Sequence, residues 1–131
     1  MKGYVDNIEN LTKENDNFRK VLYTAKHSQL VLMSLKPGED IGAEVHEELD
    51  QFFRVDAGKG KVVLDGVEHE IEDGFAAVVP AGMNHNVVNT GDEPLKLYTV
   101  YSPPEHRDGV THVTKDDATA DEEHFDGTTS E

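Results

Sequence analysis

Short apolar runs dominate the chain from Phe18 to Tyr101. They are rich in Val, Leu, Phe and Tyr, which favour strands, and no long amphipathic helical pattern competes with them. The predicted strands are 18–24, 29–35, 43–46, 51–57, 61–64, 68–71, 75–79, 85–88 and 95–101. Turn-forming Gly, Pro, Asp and Asn residues separate most of these runs. The pattern therefore predicts an all-β protein.

Two local signals sharpen this prediction. Asp65-Gly66 lies between two apolar runs, and Asp-Gly fits the type I′ turn whose twist matches that of paired strands, so we expect a hairpin there. Ser102-Pro103-Pro104 should end the strand region, because proline donates no hydrogen bond to a strand ladder. Many short strands with tight turns favour an antiparallel sandwich or a closed barrel, since both leave few exposed edges.

Polar segments flank the strand region on both sides. Residues 1–17 are polar and asparagine-rich and form a predicted N-terminal arm with at most one short helical turn. Residues 18–114 form the predicted single domain, in which 105–114 run as a strap over the outside. Residues 115–131, the C-terminal tail, hold seven acidic residues and one lysine. We expect this tail to be disordered, because its few apolar groups cannot offset the entropy of ordering.

The composition excludes several functions. A formal net charge of −15, from 27 acidic and 12 basic residues, repels nucleic-acid phosphates and anionic membranes. The absence of cysteine excludes disulfides, thiolate metal sites and thiol nucleophiles. No apolar run reaches the roughly 20 residues of a membrane span, and we see no signal peptide. We therefore expect a cytoplasmic protein with a small-molecule partner; its acidity fits either a well-solvated surface or a saline cytoplasm.

Four metal-donor side chains are spaced so that they can meet inside such a barrel. Glu44 and His46 are two positions apart and so face the same side of a strand. Gln51 breaks this parity, and joins them if the chain kinks at Leu49-Asp50. His85 begins a later strand. Singly, each residue is explained as a polar group at a barrel rim; together they predict a metal site, and we call them the four donor residues.

Two motifs around these residues resemble those of the cupin family. The second cupin motif, Gly-x5-Pro-x-Gly-x2-His-x3-Asn, is matched at every defined position, namely Gly74, Pro80, Gly82, His85 and Asn89. The first, Gly-x5-His-x-His-x(3 or 4)-Glu-x6-Gly, is matched in spacing by Gly38, Glu44, His46, Gln51 and Gly58. Glu44 replaces its first histidine and Gln51 its glutamate. The resemblance implies a small double-stranded β-helix, or jelly-roll barrel.

The resemblance also implies a function. The four donor residues would bind one divalent ion at the barrel mouth, and Fe, Mn, Ni, Co and Zn all suit such nitrogen and oxygen ligands. We expect an enzyme that uses the ion as a Lewis acid on a sugar, keto acid or enediol, as an isomerase, lyase or dioxygenase. Glu44 is also a candidate general base, and His106 is a candidate acid-base residue above the pocket. The alternatives are a non-catalytic ligand- or metal-binding module and a barrel whose site has decayed.

Several further residues carry expectations of their own. For His106, and likewise for His112, a histidine in a surface loop is the simpler prediction. His27, His69 and His124 are predicted to face solvent. Tyr98 and Tyr101 differ in strand parity, so only one of them faces the interior. Because cupin barrels commonly pair through N-terminal strands, the resemblance implies a homodimer in which the arm before Phe18 takes part.

Overall fold

Ten strands and two short helices make up the chain, which a computed structural model describes over residues 1–131. The strands are β1 (Arg19–Thr24), β2 (Gln29–Leu35), β3 (Glu44–Val45), β4 (Asp50–Ala57), β5 (Lys59–Leu64), β6 (Val67–Glu72), β7 (Ala76–Val79), β8 (Asn84–Asn89), β9 (Leu95–Ser102) and β10 (Thr111–His112). The helices are α1 (Ile8–Glu14) and α2 (Lys115–Ala120). The nine predicted strands are confirmed, with bounds that differ by at most two residues. Neither helix is long and apolar enough to cross a membrane.

The strands form two antiparallel sheets. One has six strands in the order β10-β1-β2-β9-β4-β7, and the other has four in the order β3-β8-β5-β6. A cluster of 16 buried hydrophobic residues takes members from both sheets, such as Val31 and Leu97 from the first and Val62 and Val87 from the second. The core therefore lies between the sheets, which confirms the predicted all-β jelly-roll architecture.

The predicted hairpin at Asp65-Gly66 is confirmed. Leu64 of β5 pairs with Val67 of β6, which leaves only these two residues in the turn. Asp65 has φ 47° and Gly66 has φ 82°, the left-handed conformations that a type I′ turn requires. Asp65 also accepts a hydrogen bond through Oδ1 from the backbone N–H of Asn84, at 2.9 Å. The hairpin is thereby attached to the start of β8.

The N-terminal arm lies against its own barrel. Helix α1 begins after Asn7, whose side chain accepts a hydrogen bond from the backbone N–H of Asn10, and it contacts β2, β4 and β9. The Lys96 ammonium of β9 donates to the backbone carbonyl of Lys13, at 2.8 Å, and pairs with Asp16, at 2.9 Å. The arm thus contains about two helical turns where the sequence predicted at most one. Its part in a homodimer stays a prediction.

The C-terminal tail is ordered and lies on the barrel, whereas the sequence predicted disorder. Helix α2 begins with a capping box between Thr114 and Asp117, and Lys115 forms an ion pair with Asp40. Farther along, the backbone N–H of Ser130 donates to the carbonyl of Thr24, at 2.9 Å. The composition predicted disorder because it gives the number of charged residues but not the groups that they contact in the folded protein. In the structure the acidic residues meet histidines and backbone N–H groups of the strap, and these contacts hold the tail on the barrel.

Candidate metal centre

Three strands bring the four donor residues to one end of the barrel interior. Glu44 of β3 pairs directly with His85 of β8. Gln51 lies on β4 and faces inward with Phe53 and Val55; each is 2% exposed, and His85 is 1% exposed. The inward direction of Gln51 agrees with the predicted kink before it. The structure therefore places all four close together, since His46 follows β3 directly.

The four donor residues contact one another in two pairs. The Nε2 atom of His85 lies 3.1 Å from Oε1 of Gln51. The Nε2 atom of His46 lies 3.2 Å from Oε2 of Glu44, and the two imidazole ring centroids are 5.4 Å apart. Two imidazole nitrogens, one carboxylate and one amide oxygen thus converge on a single region, a donor set that suits a divalent first-row metal.

The neighbours of His85 and Gln51 favour a cation between these two side chains. The Nδ1 atom of His85 is 3.1 Å from the Met83 carbonyl, so it donates its hydrogen there, and a neutral ring then presents a lone pair at Nε2. The Gln51 amide nitrogen donates to Thr99 Oγ1, at 3.0 Å, which directs Oε1 towards His85. In this tautomer two acceptors face each other, and a metal ion between them would satisfy both.

The metal-binding arrangement is not preformed. No group of three or more His, Cys, Asp or Glu side chains is placed to hold an ion in this structure. The reason is visible in the two pairs: the Glu44 carboxylate is hydrogen-bonded to His46, and Gln51 stands where the family motif has a carboxylate. The donor set fits a divalent ion chemically, but binding requires Glu44 and His46 to exchange their mutual contact for a shared one.

Electrostatics couples Glu44 to His46. Burial acts to raise the pKa of Glu44, but the hydrogen bond from His46 and the nearby positive charges bring it below its ordinary value. The same hydrogen bond raises the pKa of His46 against the opposing effect of its burial, and Glu105, 3.9 Å from Nδ1, contributes. The carboxylate is therefore ionised near neutral pH, which is the form that a metal ion requires.

The turn between β7 and β8 joins the two motifs. Gly82 has φ 87°, and its backbone N–H donates to the carbonyl of His46, at 2.8 Å. Met83 donates to the carbonyl of Pro80, at 3.2 Å, which closes the turn before His85. The motif residues therefore position His46 and His85 relative to each other by backbone contacts.

Asn89 has a structural role at the other end of β8. Its amide nitrogen donates to the carbonyls of Leu35 and Glu93, at 2.9 and 2.8 Å, and its oxygen accepts from Gly91 N–H. Asn89 therefore caps the turn that follows β8.

A second polar group lies next to the donor residues. His106 is buried, with Nδ1 2.9 Å from Glu123 Oε2 and Nε2 3.3 Å from the Tyr101 hydroxyl. The Tyr101 ring stands edge-on to His46, with 6.1 Å between centroids. The tail residue Glu123 also accepts from the backbone N–H of Arg107, at 2.8 Å. We call this arrangement the Tyr101–His106–Glu123 chain; it reaches from the tail to the candidate metal centre.

Burial governs the protonation of the Tyr101–His106–Glu123 chain. It lowers the pKa of His106, although the Glu123 contact works in the opposite direction, so the imidazole is neutral near pH 7. Burial also raises the pKa of Tyr101 and keeps its hydroxyl protonated. A neutral His106 that donates through Nδ1 to Glu123 accepts the Tyr101 hydroxyl hydrogen through Nε2.

Sequence reasoning missed two partners in this region. Glu123 lies in the tail, whose composition gives no sign of its buried contact with His106. Arg19 begins β1, and its guanidinium lies on the inner side of the sheet beside His112, with Nη1 3.2 Å from Nδ1. The alternation of β1, with Arg19 and the buried Val21 two positions apart, was the available signal for an inward arginine.

The prediction that His106 and His112 are surface-loop histidines is wrong, because both are buried. His112 is 3% exposed because β10 pairs with β1 at the sheet edge, and its Nε2 contacts Asp121 of the tail at 3.0 Å. The solvent-facing predictions are confirmed for the other three histidines, which are His27, His69 and His124. Tyr101 is the interior member of the tyrosine pair, at 4% exposed, whereas Tyr98 is only partly buried.

A small jelly-roll barrel with histidine, carboxylate and amide donors gathered at one end of its interior defines the cupin class of protein. The chain belongs to the cupin family: the family model described as "Cupin domain" matches residues 31–101. Its sequence is 48% identical over 128 residues to the uncharacterized protein YrkC of Bacillus subtilis (strain 168), which covers 93% of this chain and 69% of that protein.

Two solved structures extend the comparison. The crystal structure of BH2720 from Bacillus halodurans superposes with a TM-score of 0.90 at 47% identity, covering 92% of this chain and 96% of that one. A structure described as a sugar phosphate isomerase from a cupin superfamily, from Silicibacter pomeroyi, superposes with a TM-score of 0.58 at 29% identity, covering 65% of this chain and 59% of that one.

Proposed function

We propose that the chain is a small metal-dependent cupin enzyme that binds one divalent ion through the four donor residues. The observation that carries this proposal is the convergence of His85 Nε2 and Gln51 Oε1, two acceptors 3.1 Å apart, next to the Glu44–His46 pair. A cation bound between these two atoms would satisfy both of them. Metal binding is common in the cupin family, which adds support.

The surrounding residues would hold the ligands in orientation. Met83 fixes the tautomer of His85, and Thr99 fixes the direction of the Gln51 oxygen. When bound, a divalent ion supplies Lewis-acid chemistry, which polarises substrate oxygens and acidifies adjacent C–H bonds. The buried apolar side chains beneath the site, among them Phe53, exclude bulk water and so strengthen the electrostatic interactions of the substrate.

Proton transfer would fall to Glu44, while His106 would orient a neighbouring side chain. Glu44 is ionised, and its carboxylate could instead leave the metal ion and accept a proton as a general base. The Tyr101 hydroxyl stays protonated and donates to His106 Nε2, while Glu123 accepts from Nδ1, so these contacts would hold the Tyr101 ring in position. His106 therefore acts through Tyr101, which stands edge-on to His46.

The substrate class in this proposal is a small oxygen-rich molecule such as a sugar, keto acid or enediol. Adjacent oxygens of such a molecule would chelate a divalent ion held by the four donor residues, which suits isomerase, lyase or dioxygenase chemistry. The similarity at 29% identity to a structure described as a sugar phosphate isomerase supports the sugar or enediol part of this range.

Metal content tests the proposed centre. The protein purified without chelators should contain about one first-row divalent ion per chain by elemental analysis. Glu44→Ala and His85→Ala should each lose most of this metal, whereas His69→Ala, at an exposed position of the β5–β6 hairpin, should retain it. Equal metal content in all four proteins would reject the centre.

Turnover separates the enzyme from a non-catalytic module. A non-catalytic small-ligand or metal-binding module is favoured by one observation: Glu44 and His46 already satisfy each other without a ligand. The metal-loaded protein should convert at least one member of a panel of sugars and keto acids, with or without oxygen. Binding of panel members without conversion of any would favour the module.

A further inference from the structure

Glu105 lies at the start of the strap, and contacts of its backbone hold it in place. The side chain of Gln29, which is 1% exposed, accepts through Oε1 from the backbone N–H of Glu105, at 3.3 Å, and from that of His106, at 2.9 Å. The Gln29 amide nitrogen donates to the carbonyl of His106, at 2.7 Å. The carbonyl of Glu105 accepts from the backbone N–H of Phe125, at 2.9 Å. The fold therefore fixes the point from which the Glu105 side chain extends.

The Glu105 carboxylate lies between two histidines. Its Oε2 atom is 3.9 Å from Nδ1 of His46, and its Oε1 atom is 3.9 Å from Nδ1 of His124. The His124 side chain is 79% exposed, so solvent weakens that contact, whereas the His46 side chain is 14% exposed. Neither distance is short enough for a hydrogen bond, and the Glu105 side chain is 26% exposed. The carboxylate is therefore free to accept a hydrogen bond and has room to move towards His46.

The two ring nitrogens of His46 face different carboxylates. Nε2 lies 3.2 Å from Oε2 of Glu44, so it is the nitrogen placed to share an ion with Glu44. Nδ1 faces Glu105. A neutral imidazole that binds an ion through Nε2 carries its hydrogen on Nδ1, and an acceptor for that hydrogen fixes the tautomer and the direction of the ring. Glu105 is the carboxylate placed to be that acceptor.

We propose that Glu105 is a positioning residue of the candidate metal centre: its carboxylate accepts the Nδ1 hydrogen of His46 when Nε2 of this ring binds the ion. The inference rests on the proposed function, because it requires an ion at Nε2. A shift of the carboxylate by about 1 Å turns the present 3.9 Å separation into a charge-assisted hydrogen bond of about 2.8 Å. Glu105 itself does not bind the ion, because it lies against the other ring nitrogen.

This role parallels that of Met83 at the second imidazole. Nδ1 of His85 is 3.1 Å from the Met83 carbonyl, which fixes that ring. His46 would receive the same support from a charged acceptor, which raises the basicity of the ring more than a neutral carbonyl does. Because Gln51 supplies no charge to the donor set, Glu105 would add a second negative charge beside the centre without occupying a ligand position.

Zn²⁺ affinity tests the inference, because Zn²⁺ suits the donor set and has a filled d shell that leaves NMR spectra readable. In titrations of the metal-free protein, Glu105→Ala should bind Zn²⁺ about tenfold or more weakly than the wild type. Glu105→Gln, which keeps an oxygen acceptor without the charge, should recover part of this loss. Gln29 and Phe125 contact only the backbone of Glu105, so both variants retain those contacts.

Glu47→Gln is the matched control for charge. Glu47 directly follows His46 and is exposed, and its carboxylate is directed towards Gly82, where a Cβ atom would lie 3.8 Å from Oε2. Like Glu105→Gln, this variant removes one negative charge near the centre, but it removes no contact with Nδ1 of His46. It should bind Zn²⁺ nearly as tightly as the wild type at about 0.15 M NaCl, where exposed charges are screened.

The Nδ1 hydrogen of His46 reports on the contact directly. In a proton–nitrogen NMR spectrum of the Zn²⁺-loaded wild type this hydrogen should be visible, because a carboxylate acceptor slows its exchange with water, and Glu105→Ala should lose the signal. The Nδ1 hydrogen of His85, which the Met83 carbonyl accepts, should be visible in both proteins and shows that the fold is intact.

The outcomes separate this inference from the proposed metal function. No Zn²⁺ binding in any form rejects the metal centre, and the inference with it. Equal Zn²⁺ affinity in wild type and Glu105→Ala, or a loss in Glu105→Gln no larger than that in Glu47→Gln, overturns the inference and leaves the metal centre standing. A hydrogen on Nε2 instead of Nδ1 of His46 in the Zn²⁺-loaded protein also overturns it, because Glu105 would then face the ion. If Glu105→Ala loses the His85 signal as well, Glu105→Gln decides by the same two measurements.

Discussion

Gln51 limits the charge of the candidate metal centre, because it supplies a neutral oxygen where a glutamate stands in the family motif. Gln51→Glu should bind Mn²⁺ about tenfold more tightly, because two carboxylates would then bind the ion. A tenfold change in affinity corresponds to about 1.4 kcal/mol of binding free energy. Without metal, the same variant should be less stable than the wild type, since the new carboxylate is buried. Thermal unfolding with and without Mn²⁺ measures both effects.

Gln51→Met is the matched control, because methionine is similar in size and offers no oxygen to the ion. It should unfold at nearly the same temperature with and without Mn²⁺. The proposed ligand role of Gln51 is rejected if the stabilisation by Mn²⁺ is the same in wild type, Gln51→Glu and Gln51→Met.

Glu123 should make the free energy of unfolding depend on pH in the acidic range. Burial acts to raise its pKa, but His106 and the Arg107 backbone N–H lower the pKa from 4.5 to about 2 in the folded protein. A folded pKa below the unfolded one gives stability that is complete above about pH 4.5 and is lost as the pH falls towards 2. Glu123→Gln should therefore lower the free energy of unfolding by about 1–3 kcal/mol at pH 7, and by progressively less as the pH falls below 4.5.

Glu122→Gln provides the control, because Glu122 is the exposed neighbour of Glu123 in the same tail. Its stability should follow that of the wild type at every pH in denaturant titrations. A Glu123→Gln protein as stable as Glu122→Gln at pH 7 would show that the tail contact contributes nothing.

The pairing of β5 with β8 depends on a close approach at Gly60. A Cβ atom at this position would lie 2.2 Å from the backbone carbonyl oxygen of Val88, a contact that only backbone movement relieves. Because the same pairing places Leu64 opposite His85, it also positions a donor residue. Gly60→Ala should lower the free energy of unfolding by about 3 kcal/mol and weaken Mn²⁺ binding.

Gly66→Ala separates crowding from backbone strain. Gly66 has φ 82° but open space around it, so its substitution should cost about 1 kcal/mol and leave Mn²⁺ affinity unchanged. Denaturant unfolding and metal titration of both variants make the comparison. A smaller loss of stability in Gly60→Ala than in Gly66→Ala would contradict the close β5–β8 approach.

The strands were predictable because their signals are local. Alternating burial in β4 and β9, and the Asp65-Gly66 turn, follow from residues a few positions apart. The interior position of Gln51 was predictable from parity once a kink was placed before it. Strand β10 was not predictable, because its two residues pair with β1, far away in sequence.

The candidate site was predictable only where a motif marks it. The second cupin motif indicated His85, and the first indicated Glu44, His46 and Gln51. Glu123 lies in an acidic segment without a motif, and its contact with His106 depends on how the tail returns over the strap. Such contacts are decided by tertiary structure, which composition and periodicity do not contain.

The whole molecule carries a formal net charge of −15, so self-repulsion should lower its stability at low salt. The Debye length shortens from about 30 Å at 0.01 M to about 3 Å at 1 M salt, which screens this repulsion. We expect the free energy of unfolding to rise by about 1 kcal/mol or more between these NaCl concentrations. Unfolding by urea, which is uncharged, measures the change, and a constant or falling stability would contradict it.

The central claim is that one divalent ion binds among Glu44, His46, Gln51 and His85. A crystal structure of the Mn²⁺-loaded protein with anomalous diffraction data tests it most directly. We predict one strong anomalous peak inside the barrel, within about 2.5 Å of nitrogen or oxygen atoms from these side chains. A map with no peak there, from crystals whose surface carboxylates bind Mn²⁺, would contradict the claim.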